Sequence, residues 1–228
     1  MPVLTLLVQA LLLTRLTAPF PFAVGETLRY EARLGMFPIG TASVTVSSMA
    51  RERGKEAFVF NATGQGGPPG LRARYDLTSW VSTTPFNSLR FNRRLVQGNS
   101  VEEEHYLIIP DSSRYRIEGK PEDWVAPSDP LDELAFLYYL RTIPMKVGSS
   151  YQIPRYFKTG YNPIQVRVVA RDTARLPSGQ TVPVLVVEAS SRGTTMGVRF
   201  TDDARRLPVQ LDLPLPYGSV TLELTGGP

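Results

Sequence analysis

The sequence predicts a mainly β protein, a strongly curved antiparallel sheet forming a half-barrel or open barrel, with one buried α-helix near residues 130–142. Three observations carry this prediction. Apolar and polar residues alternate with period two through most of the chain. The 20 prolines are scattered, as in a chain of many short connections. One segment after Asp129 breaks the alternation and is apolar nearly all round.

The first clear strand pair lies at 28–47. Leu28, Tyr30, Ala32 and Leu34 share one face, Gly35 and Pro38 mark a turn, and Ala42, Val44 and Val46 alternate with Thr41, Ser43, Thr45 and Ser47. This pattern reads as a hairpin with one face in the core and one in water. Arg53-Gly54-Lys55 turns into a strand through Phe58 and Phe60 that ends at Gly64. Gly64 to Gly70 reads as a surface loop, because it lacks the Lys-Ser/Thr of a phosphate-binding loop. Further strands are expected at 72–83, 89–97, 102–109 and 114–118.

The helix follows. Asp129 is placed to cap it, Pro130 suits the first helical position, and Pro144 ends it. Leu131, Leu134, Ala135 and Tyr138 share a face, and Phe136, Leu137, Tyr139 and Leu140 cover most of the rest. A short helix of this kind belongs inside a fold, lying across the concave face of the sheet. Strands resume at 151–157, 164–171, 182–189, 198–201, 209–213 and 219–224. Short connections imply antiparallel neighbours.

The apolar run from Val3 to Leu13 is too short to span a bilayer and has the length of a signal-peptide core. Residues 1–18 therefore read as a signal peptide and 19–228 as a single β domain. The expected location is the periplasm or the exterior, with no transmembrane span in the mature chain.

Chemistry is sparse. With 25 Lys and Arg against 21 Asp and Glu, the charges are interspersed, and no basic block marks a nucleic-acid partner. The absence of cysteine excludes disulfides, thiolate metal sites and an N-terminal lipid anchor on cysteine. The single histidine, His105, shares a strand face with Glu103. One His with one or two acids makes a poor metal site, and no catalytic residue, metal site or cofactor is assigned. Glu103, Glu118 and Asp123 are the acids that a glycoside hydrolase would need to pair; as isolated strand and turn acids they read as solvated. Asp202-Asp203 reads as a charged turn rather than a Ca²⁺ loop. Aromatic residues gather around the helix and the next strand. Core packing accounts for such a cluster, and so does an apolar groove rimmed by phenol hydroxyls. On the second reading the candidate ligand-binding residues are Tyr138, Tyr139, Arg141, Tyr151 and Tyr156. Arg141 suits either a tie from the helix to an acid such as Asp203 or an anchor for an anionic ligand.

Two stretches carry a family resemblance. One is Val24-Gly25-Glu26-Thr27-Leu28-Arg29-Tyr30 followed by Ile39-Gly40-Thr41-Ala42. The other runs from Asp129 through Leu137-Tyr138-Tyr139-Leu140-Arg141 and Val147-Gly148-Ser149-Ser150-Tyr151 to Phe200-Thr201-Asp202-Asp203-Ala204-Arg205-Arg206-Leu207-Pro208-Val209. These stretches resemble the exported bacterial proteins grouped as domain of unknown function 3108. The resemblance implies an envelope compartment and a strongly curved sheet, similar at fold level to the half-barrel lipoprotein carriers LolA and LolB, and it implies no activity. The family's usual helix opening, often Asp-x-Leu-Ser, here reads Asp129-Pro130-Leu131-Asp132. Together these readings point to a non-catalytic envelope protein. It would hold an envelope lipid, another apolar or amphipathic ligand, or a partner protein on the concave face. The alternatives are an assembly factor acting through strand edges and a hydrolase of polysaccharide or peptidoglycan.

Overall fold

A computed structural model describes residues 20–67, 72–215 and 218–227. The signal segment and residues 68–70 of the Gly-Pro-rich stretch lie outside the described residues, whereas 64–66 extend a strand rather than forming a loop.

Eight strands run in chain order from the middle of the sheet to one edge: β1 (Thr27–Leu34), β2 (Phe37–Glu52), β3 (Lys55–Gly66), β4 (Ala73–Ser82), β5 (Ser88–Gln97), β6 (Ser100–Ile109), β7 (Arg114–Ile117) and β8 (Asp123–Val125). After the helix α1 (Glu133–Leu140) the chain restarts at the opposite edge. It returns inward through β9 (Ser150–Ile153), β10 (Ile164–Arg175), β11 (Thr181–Ser191), β12 (Thr194–Thr201), β13 (Pro208–Leu215) and β14 (Gly218–Gly226). β14 pairs with β1, so the two arms form one fourteen-stranded sheet with β8 and β9 at its edges. Every strand pair is antiparallel, and the sheet is an open, curved half-barrel rather than a closed one. β8, only three residues long, carries no alternation to read from sequence.

The α1 crossover spans from one edge strand to the other, and its lead-in ties the β9–β10 connection to the start of β5. Leu131 pairs in a parallel bridge with Tyr156, its N–H donating to Arg155 O at 2.6 Å and its carbonyl accepting from Phe157 N at 2.9 Å. Pro130 O accepts from Ser88 N at 2.8 Å. Because Leu131 spends both backbone groups on this bridge, it is extended, and the helix starts two residues later. Asp132, not Asp129, is the N-cap: its Oδ1 accepts from the N–H groups of Leu134 and Ala135, each at 3.0 Å. Asp129 instead pairs with Arg155 at 2.8 Å.

Leu134, Ala135, Phe136, Leu137, Tyr138 and Leu140 are all buried. They pack between the inward rows of the two arms, Leu28, Tyr30, Val44, Val46, Phe60 and Val81 on one side and Val166, Val168, Val187, Val198, Phe200 and Leu211 on the other. At about 1.5–3 kcal/mol per large apolar side chain withdrawn from water, this plug is a principal source of the fold's stability. A second, smaller core lies under the β5–β8 arm, where Phe157 packs against Phe91, Tyr106, Ile108 and Tyr115.

Candidate functional site

The five residues singled out around the helix do not share one pocket. Tyr138 is buried and stacks on Phe60 with ring centroids 4.0 Å apart. Burial pushes its hydroxyl well above the usual phenol range, and that hydroxyl has no hydrogen-bond partner among the described residues. The fully buried Arg141 guanidinium lies over the Phe22 and Tyr138 rings. Its partner is Glu26 rather than Asp203, whose carboxylate pairs with Arg205. Pro21 O and Arg205 O take its remaining donors, at 2.9 and 3.0 Å.

Tyr139 is half-buried beneath Arg155, whose guanidinium carbon is 4.5 Å from the ring centroid. Tyr156 donates to Glu133 at 2.7 Å, and Tyr151 donates to Pro144 O. The concave space beside α1 is thus occupied by the chain's own side chains.

Near the helix start, the concave wall of β5 and β6 carries a paired polar network absent from the sequence reading. Arg93 contacts Glu104 at 2.8 Å, Glu104 accepts from the Tyr106 hydroxyl at 2.6 Å, and Lys158 donates to that hydroxyl at 2.8 Å. Burial lowers the Lys158 ammonium from its ordinary value. Burial also acts to raise the Glu104 carboxyl, but the Tyr106 hydroxyl and Arg93 outweigh it and hold the group below the usual range.

His105 lies on the opposite face of β6. Its Nε2 is 2.8 Å from Glu103 and its Nδ1 3.1 Å from Glu118. Those two acids raise the imidazole from its ordinary value, Glu103 first. Asp123, the third acid considered, pairs with Arg116 at 3.0 Å. Among the described residues no three His, Asp or Glu side chains form a group able to hold a metal ion.

The open volume lies elsewhere, at the hairpin end of β1–β5. Along β4, six residues separate Ser79, which touches the helix cap, from Ala73 at this end, roughly 20 Å at strand rise. Two cavities meet there on the outer face. The larger, about 1300 Å³, has apolar walls from Leu34, Phe37, Ile39 and Val96. The smaller, about 440 Å³, is lined by Ser43, Thr63, Thr225 and Arg29. Both share Thr41, Gln65 and Arg74, so they form one continuous groove.

Register explains the floor. Thr41 opposes Gln65, Gln65 opposes Arg74, and Arg74 opposes Val96, a single cross-strand row pointing away from the core. The next row sets Arg29 opposite Ser43 and Ser43 opposite Thr63, with the two hydroxyls 2.9 Å apart.

The wall is made by a sharp approach of backbones. Gly40 opposes Gly66, and a Cβ on Gly40 would lie 2.1 Å from Gln65 O. A register shift in β1 after Ala32 adds to the bend. The tip carrying Leu34 and Phe37 thereby faces the outward row across the cavity. Among the described residues Phe37 is 73% exposed, a large apolar surface left open to solvent.

Sequence reading missed Arg29, Thr41, Ser43, Gln65 and Arg74 as a group. Each is the polar member of an alternating strand and reads alone as a solvated face. Only the pairing register gathers them.

An open antiparallel barrel plugged by its own helix, with its groove on the outside, defines a barrel-like scaffold. The chain belongs to the family described as protein of unknown function DUF3108, whose model matches residues 29–225. No functionally curated protein matches it. Among solved structures it is similar in fold to a beta-barrel-like protein of domain of unknown function DUF1849 from Brucella abortus. The TM-score is 0.59 at 10% identity, covering 87% of this chain and 94% of that one. At that identity the likeness speaks for the fold alone.

Proposed function

We propose that this protein is a non-catalytic binding protein of the bacterial cell envelope, exported by its N-terminal segment, that holds an apolar or amphipathic ligand in the outer-face groove. The supporting observation is the groove itself. Its larger cavity exceeds the roughly 300–1,000 Å³ usual for small-molecule sites, and an exposed phenylalanine walls it. The sequence points to the concave face for this role, but α1 and its neighbours fill that face. Organic extraction of the purified full chain followed by mass spectrometry tests the reading. An amphiphile should co-purify, and Val96→Trp, which fills the apolar half of the groove, should deplete it. A wild-type protein that carries nothing and takes up no fluorescent fatty-chain probe ends the proposal.

One feature favours assembly through a strand edge as a second reading. β9 pairs only with Ile164–Arg167, so among the described residues the outer edge of β10 from Val169 to Arg175 has no strand beside it. An unpaired edge is a template for strand addition, although Arg171, Asp172 and Arg175 guard it against self-pairing. Photocrosslinking from the exposed Val169 position in envelope fractions to one defined partner, abolished by Thr173→Pro elsewhere on the same edge, supports this reading; an empty crosslink sinks it.

A further inference from the structure

The two halves of the groove differ in chemistry in a way that specifies its ligand. The larger half is walled by Leu34, Phe37, Ile39 and Val96. The smaller is lined by hydroxyls and by two arginines, Arg29 and Arg74. A third, Arg72, lines the larger half, and no Asp or Glu lines either cavity among the described residues.

Arg74 is oriented by Asp76, which accepts from its Nε at 2.9 Å and its Nη2 at 3.0 Å. Its Nη1 makes no hydrogen bond among the described residues, and Arg29 makes no ion pair there. The acid beside Arg74 therefore fixes the guanidinium without using all of it. Thr41 and Gln65 stand in the same row and add neutral donors between the arginines.

We infer that the smaller cavity takes the anionic head of an amphiphile, a phosphate or carboxylate group, while the larger cavity takes its apolar chain. Guanidinium groups donate charge-assisted bonds to such oxygens in a planar fork, and hydroxyls complete the shell. The exposed Phe37 wall suits a hydrocarbon chain, and an aqueous anion would gain nothing from it. This inference rests on the binding role proposed above and narrows it to anionic amphiphiles.

Calorimetric titration of the full chain with three probes tests it: dodecyl phosphate, the uncharged dodecyl maltoside, and inorganic phosphate alone. Dodecyl phosphate should bind at least about tenfold more tightly than either of the others. Arg29→Gln with Arg74→Gln should erase its advantage over the maltoside while leaving the melting temperature unchanged, since both side chains are on the surface. Added salt should weaken the phosphate amphiphile selectively. If both amphiphiles bind equally and the double variant changes nothing, the head-group assignment is wrong while the binding role stands. Inorganic phosphate matching dodecyl phosphate overturns the two-part ligand. Failure of both amphiphiles to bind removes the binding role itself.

Discussion

Arg141, at the C-cap of α1, and Glu26, just ahead of β1, form a buried ion pair with Nη1 2.5 Å from Oε1. The pair joins residues 115 positions apart and fastens the helix plug to the strand where the two arms meet. Arg205 O and Pro21 O accept from the same guanidinium, so the helix end, the lead-in to β1 and the turn before β13 meet at one side chain.

Removing one partner should therefore cost more than the pair is worth. Arg141→Met strands the Glu26 carboxylate and leaves the part-buried carbonyls of Pro21 and Arg205 without their donor; Glu26→Gln leaves a buried guanidinium half-paired. Each should destabilise by about 3–5 kcal/mol, while the double variant should recover part of the loss. Denaturant melts of the three variants check this. Single losses below about 1 kcal/mol mean that water reaches the pair.

Asp132 is fully buried and carries four donors: Ser79 Oγ at 2.5 Å, Ser88 Oγ at 2.7 Å, and the N–H groups of Leu134 and Ala135. Burial nevertheless dominates and pushes the carboxyl up to about 7. In the unfolded chain it titrates near 3.8. Between these values the folded protein binds the extra proton, so the contribution of this group to stability is fully present below about pH 4 and is lost as pH rises through about 7. Asp132→Ser keeps an N-cap oxygen and has no proton to lose. The stability difference between variant and wild type should shift toward the variant across this window, by up to about 4 kcal/mol. Parallel melts at several pH values measure it, and pH-independent spacing of the two curves contradicts a raised Asp132.

These two sites also mark what the sequence conveys. The helix is legible because its apolar residues leave no polar face, and the strands of β1 to β3 are legible from Leu28-Tyr30-Ala32 and Ala42-Val44-Val46. The cap is not: Asp129 and Asp132 both precede the helix, and the choice is made by Leu131 bridging to a loop 25 residues later. The partner of Arg141 is equally hidden, since Glu26 and Asp203 are both distant acids and only the closing of the sheet brings one of them to the guanidinium. The groove is hidden for a related reason. Thr41, Gln65 and Arg74 become neighbours through strand register, which leaves no mark in local spacing.

His105 is the chain's only histidine, so its imidazole signals are unambiguous in an NMR titration. Glu103 and Glu118 flank both ring nitrogens, and its pKa should lie above 6.5 in the folded protein. The raised value stabilises the fold below pH 6.5 and loses that contribution as pH climbs through the folded value. The partners are partly exposed, so the effect on stability should stay within about 0.2–1 kcal/mol and fade with salt. Glu118→Gln should lower the titration midpoint while leaving the melting temperature at pH 8 unchanged. A midpoint at or below 6.5 in the wild type removes the paired geometry.

Gly40 and Gly66 supply the sharpest test of how the groove is built. A Cβ on Gly40 would meet Gln65 O at 2.1 Å and Gly66 Cα at 2.6 Å, and one on Gly66 would meet Ile39 O at 2.5 Å. All of these are backbone atoms, which no side-chain rotation clears. Gly64, two residues before Gly66 on the same strand, is different: the nearest atom to its Cβ would be Ala42 Cβ at 3.8 Å, an ordinary contact. Gly64→Ala should therefore be neutral or slightly stabilising, because alanine restricts the unfolded chain. Gly40→Ala has to pry β2 from β3, lifting the tip that carries Phe37 away from Val96. It should cost at least about 1–3 kcal/mol and weaken amphiphile uptake together with stability. Measuring both quantities in both variants separates backbone approach from a general intolerance of alanine in this hairpin. Equal behaviour of the two substitutions means that the bend is set elsewhere, by the shifted register of β1 after Ala32.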